Sequence, residues 1–141
     1  MPWIENISAR DVSIGLHKDP GPNAMLIQIM DPAAWFPDPK HKFKEVHQFE
    51  FLDIDDWDLD KNPNLEKAAI QPEQAKRLVQ LLKHALKHNM NVVVHCFMGM
   101  CRSGAVAEIG QKMGFELIDN FREPNTRVLD LMKDQFKKKK S

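Results

Sequence analysis

The chain has 141 residues, 43% of them hydrophobic and 28% charged, with 20 Lys and Arg set against 20 Asp and Glu. That balance predicts one soluble globular domain, large enough to bury a core without disulfide or metal staples. A formal net charge of zero argues against nucleic acid or a membrane surface as partner. No apolar run approaches the roughly 20 residues that span a bilayer.

The opening Met1-Pro2-Trp3-Ile4-Glu5-Asn6 lacks the basic segment and apolar run of a signal peptide. Trp3-Ile4 begins a short strand, and Ser8 is placed to cap a helical turn over Ala9-Arg10-Asp11. Asp19-Pro20-Gly21-Pro22-Asn23 is a turn by composition, and Ala24 to Met30 reads as a buried strand stopped by Asp31-Pro32. Residues 31–44 form a proline-rich surface loop. Its Trp35 and Phe36 are expected to pack beneath it, with the lining of a cleft as the alternative. A strand is predicted over Glu45–Ile54, with Val46, Phe49, Phe51 and Leu52 as its apolar members. It runs into an acidic stretch, Asp53, Asp55, Asp56, Asp58 and Asp60, and residues 55–69 read as an irregular insertion.

Gln71-Pro72-Glu73 opens a helix whose Ala75, Leu78, Val79, Leu82 and Leu86 share one face. Asn91-Val92-Val93-Val94 follows as a strand. Residues 103–113 form a helix closed by Gly114, residues 115–118 a short segment of open type, and Pro124–Phe136 a last helix with Val128, Leu131 and Met132 inward. Strands alternating with helices predict an α/β single-domain sandwich with a central, largely parallel sheet flanked by helices. The domain is drawn at 1–136, with 137–141 as a disordered basic tail.

The stretch His95-Cys96-Phe97-Met98-Gly99-Met100-Cys101-Arg102-Ser103-Gly104 lies between the valine strand and the next helix. A thiol at a strand end, facing a helix N-terminus and an arginine, is placed to ionise, and the thiolate is the nucleophilic form of cysteine. The amides of residues 97–102 can cradle a tetrahedral anion, and the Arg102 guanidinium can hold two of its oxygens. Phe97, Met98, Gly99, Met100, Cys101 and Arg102 are therefore the predicted substrate-binding residues, with Gly99 supplying backbone freedom where the loop turns tightly. The implied chemistry is attack of sulfur on phosphorus, then hydrolysis of a phosphocysteine. The two cysteines, Cys96 and Cys101, sit in one loop and predict reduced thiols in a cytoplasmic setting. Cys101 either fills the loop or forms a reversible disulfide with Cys96. A zinc site is a poorer account, because His95, Cys96 and Cys101 lack a fourth ligand at zinc spacing.

The string His-Cys-x5-Arg-Ser-Gly resembles the signature of cysteine-dependent protein tyrosine phosphatases, particularly the compact dual-specificity-like group. The order of elements resembles that group over roughly residues 24–136, including Phe51-Leu52-Asp53-Ile54 upstream and Pro124-Asn125 downstream. The resemblance implies that Cys96 is the nucleophile, that Arg102 binds phosphate, that Ser103 hydrogen-bonds the departing sulfur, and that His95 supports Cys96 indirectly. It implies no metal and no other cofactor, and a phosphorylated protein or peptide as substrate. A general acid is required as well, and Asp53 is the first choice, with Asp55 and Asp56 as competitors. Asp53 precedes Cys96 by a longer interval than the family's usual one, so residues 55–69 must loop out. A cysteine directly before the loop arginine also occurs in low-molecular-weight tyrosine phosphatases, but those carry the loop at the N-terminus. The alternatives are a phosphatase for an RNA 5′-phosphate end or a phosphoinositide, a rhodanese-like enzyme, or a catalytically silent phosphate-binding module. The absence of lysine from residues 97–100 counts against phosphoinositides.

Overall fold

A computed structural model of the chain describes residues 1–138, with the side chain of Lys138 left out. Five strands form one sheet: β1 (Trp3–Ser8), β2 (Ala24–Met30), β3 (Glu45–Glu50), β4 (Asn91–Cys96) and β5 (Glu116–Leu117). Their order across the sheet is β3-β2-β4-β1-β5, and every pairing is parallel. The helices are α1 (Ala9–Ile14), α2 (Asp56–Lys61), α3 (Pro72–Lys87), α4 (Arg102–Met113) and α5 (Thr126–Lys138), with a 3-10 helix over Pro63–Ala68. The predicted α/β sandwich with a central parallel sheet is what the chain forms.

The sheet is buried on both faces, as a parallel sheet requires. Ile4, Met25, Ile27, Ile29, Val92 and Val94 point to one face, where the apolar sides of α3, α4 and α5 cover them. Trp3, Ile7, Leu26 and Val93 point to the other, where Val12 of α1 and Phe43 close a smaller core. That second cover is a loop rather than long helices: Lys40 N–H bonds the Val12 carbonyl at 3.1 Å and Lys44 N–H the Ala24 carbonyl at 3.0 Å. Fully burying an aliphatic side chain is worth about 1.5–3 kcal/mol, so β4, apolar on both faces, anchors both cores.

Several sequence expectations need correction. β1 begins at Trp3 as expected and runs for six residues as an inner strand, and Ser8 caps α1 by accepting from Asp11 N–H. β3 ends at Glu50, short of the expected Ile54, because Leu52 N–H leaves the sheet and bonds the Ala68 carbonyl at 2.8 Å. Its Val46 is exposed, since β3 is an edge strand. Residues 55–69 are not irregular: Asp55 and Asp58 cap each other's backbone at the start of α2, and Pro63 opens the 3-10 helix. Trp35 packs beneath nothing, being 92% exposed. The last helix begins at Thr126, two residues late, because Asn125 caps it by accepting from Val128 N–H at 3.0 Å. It also runs through Lys138, so Lys137 and Lys138 are helical and not tail, while 139–141 lie outside the described residues.

Candidate active site

β4 delivers Cys96 to the C-terminal edge of the sheet, on the face covered by the long helices. The chain then crosses five residues and enters α4 at Arg102. Ligand sites of open parallel sheets lie at this edge. A cleft of about 420 Å³ opens there, lined by Cys96, Phe97, Met98, Met100, Cys101 and Arg102 from the loop, by Asp31 just after β2, and by Leu52, Asp53 and Ile54 from the segment after β3.

The loop is held from outside by its carbonyls. Phe97 O accepts from Ala9 N–H at 3.2 Å, Gly99 O from the Asn6 side-chain amide at 2.8 Å, Met100 O from Glu123 N–H at 3.2 Å and Cys101 O from Asn125 N–H at 2.9 Å. Its amides behave differently: among the described residues, the N–H groups of 97–102 meet no protein acceptor. Four of the loop's carbonyls are thus bonded outward while its amide donors are left free. The wrap depends on Gly99, whose φ of 79° is left-handed and whose missing Cβ would stand 2.4 Å from the Ile7 and Ser8 backbone.

Ser103 Oγ lies 3.2 Å from Cys96 Sγ, and both residues are buried. Arg102 is 5% exposed; its Nη1 donates to Asp31 Oδ1 and to the Phe51 carbonyl, each at 2.7 Å, while its buried Nε has no partner. Two fixed acceptors at one nitrogen orient the guanidinium plane and leave a donor over. His95 points to the opposite face of the sheet, fully buried beside the pairs Ile7–His95 and Gln28–His95. Its Nδ1 donates to the Cys96 carbonyl at 3.3 Å and its Nε2 is unpartnered. Burial pushes this imidazole down to about 4, opposed by the bond to the Cys96 carbonyl and assisted by the Arg102 charge.

The three candidate aspartates separate cleanly. Asp53 lines the cleft, and its Oδ1 accepts from the Asn125 side-chain amide at 2.7 Å. Asp55 is committed to capping α2. Asp56 faces α5: its N–H donates to Thr126 Oγ1, and a hydrogen bond shared with Asp130 raises its carboxyl above the usual range. Cys101 also lines the cleft, beside Asp53. Burial, then the Asp53 charge and its hydrogen bond, push the Cys101 thiol up to about 11, so it stays protonated near neutrality. Both cysteines are free thiols.

The cleft therefore brings together Cys96, Arg102 and Asp53 with Phe97, Met98, Met100 and Cys101, while Ser103 is buried against Cys96 and Gly99 is outside the lining. Trp35 and Phe36 are not in its lining. Sequence reasoning does not find the contacts of Asp31, which reads there only as a strand stop, or of the outer supports Asn6 and Asn125. An aspartate at the C-terminal end of a parallel strand was the available signal for Asp31. Among the described residues no group of three or more His, Cys, Asp or Glu side chains has metal-holding geometry, and no helix is long and apolar enough to cross a membrane. Neither family models nor curated proteins give a match to this chain.

Proposed function

We propose that this protein is a phosphomonoester hydrolase of the cysteine-dependent tyrosine or dual-specificity phosphatase type. The observation that carries the reading is the 97–102 loop, with outward-bonded carbonyls, free amides, a thiol at its start and a buried arginine with a spare donor at its end. In this reading the phosphoryl group sits in the loop, held by its amides and Arg102. The Cys96 thiolate attacks phosphorus, the bond to the leaving oxygen breaks, and Asp53 gives that oxygen its proton. Water then attacks the phosphocysteine while Asp53 takes a proton back. The S–P bond breaks as inorganic phosphate forms, and the Ser103 hydroxyl donates to the departing sulfur. The steps use no metal or organic cofactor.

The rim favours a phosphorylated protein or peptide. Phe97 and Met98 are 61% and 62% exposed and offer an apolar surface to an aromatic leaving group. Arg102 is the lone cation in the described lining, against the carboxylates of Asp31 and Asp53. One cation suits a single phosphate and works against the polyanionic heads of phosphoinositides or RNA ends. Two free cysteines are consistent with a reducing, cytoplasmic setting. The test is a panel of phosphotyrosine and phosphoserine peptides, a phosphoinositide and a 5′-phosphorylated RNA, each with wild type, Cys96→Ser and Asp53→Asn. Turnover of phosphopeptides, lost in Cys96→Ser and slowed in Asp53→Asn, is expected. Preferential turnover of lipid or RNA would move the substrate class, and no turnover of any would remove the catalytic reading.

A further inference from the structure

The segment between β5 and α5 contributes nothing to the cleft lining, yet one of its residues touches both halves of the site. Asn125 is 4% exposed, and three of its hydrogen bonds bear on the site. Its side-chain amide donates to Asp53 Oδ1 at 2.7 Å, its backbone N–H donates to the Cys101 carbonyl at 2.9 Å, and its Oδ1 accepts from Val128 N–H at 3.0 Å. The first bond reaches the segment that leaves β3. The second reaches the anion loop one residue before Arg102. The third locks the side chain by making it the cap of α5.

We propose that Asn125 is a positioning residue that sets the distance between the acid Asp53 and the Cys96–Arg102 loop. This inference rests on the role given to Asp53 above. Asp53 needs such a bracket: it is exposed, and it lies three residues beyond the last residue of β3, where no sheet hydrogen bonds fix it. A carboxyl swinging on a coil segment delivers a proton poorly, because general acid catalysis depends on hydrogen-bond reach to the leaving oxygen. Asn125 supplies a rigid donor, itself held by a helix cap and by burial. Asp53 is thus tied to the anion loop through Asn125, whose own backbone N–H holds the Cys101 carbonyl.

The discriminating substitution is Asn125→Asp, which keeps the oxygen that caps α5 and removes the donor to Asp53. Two aryl phosphates report on it, because protonation of the leaving oxygen matters for phenyl phosphate and little for p-nitrophenyl phosphate. The expected result is a loss in kcat of about tenfold or more on phenyl phosphate, with the nitrophenyl ester changed by no more than about twofold. Combined with Asp53→Asn, the substitution should add no further loss, as expected of two residues acting through one function. Equal losses on both substrates, or no loss on either, overturn the proposal.

A measurement without turnover separates this inference from the phosphatase reading. The Asn125 side-chain amide signals in an NMR titration of the wild-type protein should shift as Asp53 protonates, and stay flat in Asp53→Asn. If wild type hydrolyses neither ester, the phosphatase reading falls while this titration still tests the bracket. An Asn125 amide indifferent to Asp53 overturns it.

Discussion

The Arg102 guanidinium donates from Nη1 to the Asp31 carboxylate at 2.7 Å, joining the start of α4 to the residue after β2 across 71 positions of sequence. With the Phe51 carbonyl on the same nitrogen, this contact fixes the plane of the Arg102 guanidinium. Asp31 is 55% exposed, so solvent screens the pair. Asp31→Ala is therefore expected to lower kcat/KM for an aryl phosphate by about fivefold, corresponding to roughly 1 kcal/mol. An unchanged kcat/KM would show that Asp31 does not orient Arg102.

Gly99→Ala should be far more damaging than its single methyl suggests. The left-handed backbone at Gly99 disfavours alanine by about 1–3 kcal/mol, and the new Cβ would meet the β1 backbone at Ile7 and Ser8, which cannot rotate away. Urea unfolding should report a loss of at least about 1 kcal/mol, and the displaced loop should lose phosphate and vanadate affinity. A stable Gly99→Ala protein that still binds vanadate would contradict the wrapped loop.

His95 makes stability depend on pH with a definite sign. Its folded value of about 4 lies below the ordinary 6.5. Between those values the unfolded chain holds a proton the folded chain refuses. Stability therefore falls as pH drops from about 6.5 to about 4, with a slope of up to about 1.4 kcal/mol per unit of pH, and is flat outside that window for this group. His95→Asn keeps a donor towards the Cys96 carbonyl but cannot titrate. The difference between wild-type and His95→Asn unfolding free energies should change through that window. Parallel curves from pH 4 to 8 would show that His95 binds its proton alike in the folded and unfolded chain, which contradicts the burial effect.

The course of the loop was legible in the chain because a β-branched strand, a thiol, a tight glycine and a helix start follow one another without interruption. β2 and α3 were legible for a similar reason: Ala24–Met30 is apolar on both faces, and Ala75, Leu78, Val79 and Leu82 recur at helical spacing. The extent of β1 beyond Ile4 was hidden because Glu5 and Asn6 break its apolar pattern. Both are buried and hydrogen-bonded, with Asn6 reaching Gly99 and Glu5 reaching Lys18 N–H. α2 was hidden by its charge: the capping pair Asp55 and Asp58 sat inside an acidic run that masked the pattern. Asp31 and Asn125 could not be assigned their contacts from spacing. Asp31 meets Arg102 only when β2 and β4 pair, and Asn125 meets Asp53 only when the chain after β5 returns beneath the loop.

The central claim is that Cys96 carries the phosphoryl group. Wild-type protein mixed with excess aryl phosphate, quenched in acid within the first turnovers and mapped by peptide mass spectrometry, tests it directly. One phosphoryl group is expected on the Cys96 peptide, none on Cys101, and neither adduct nor turnover in Cys96→Ser. Turnover that persists in Cys96→Ser, or rapid wild-type hydrolysis with Cys96 never phosphorylated, would contradict it.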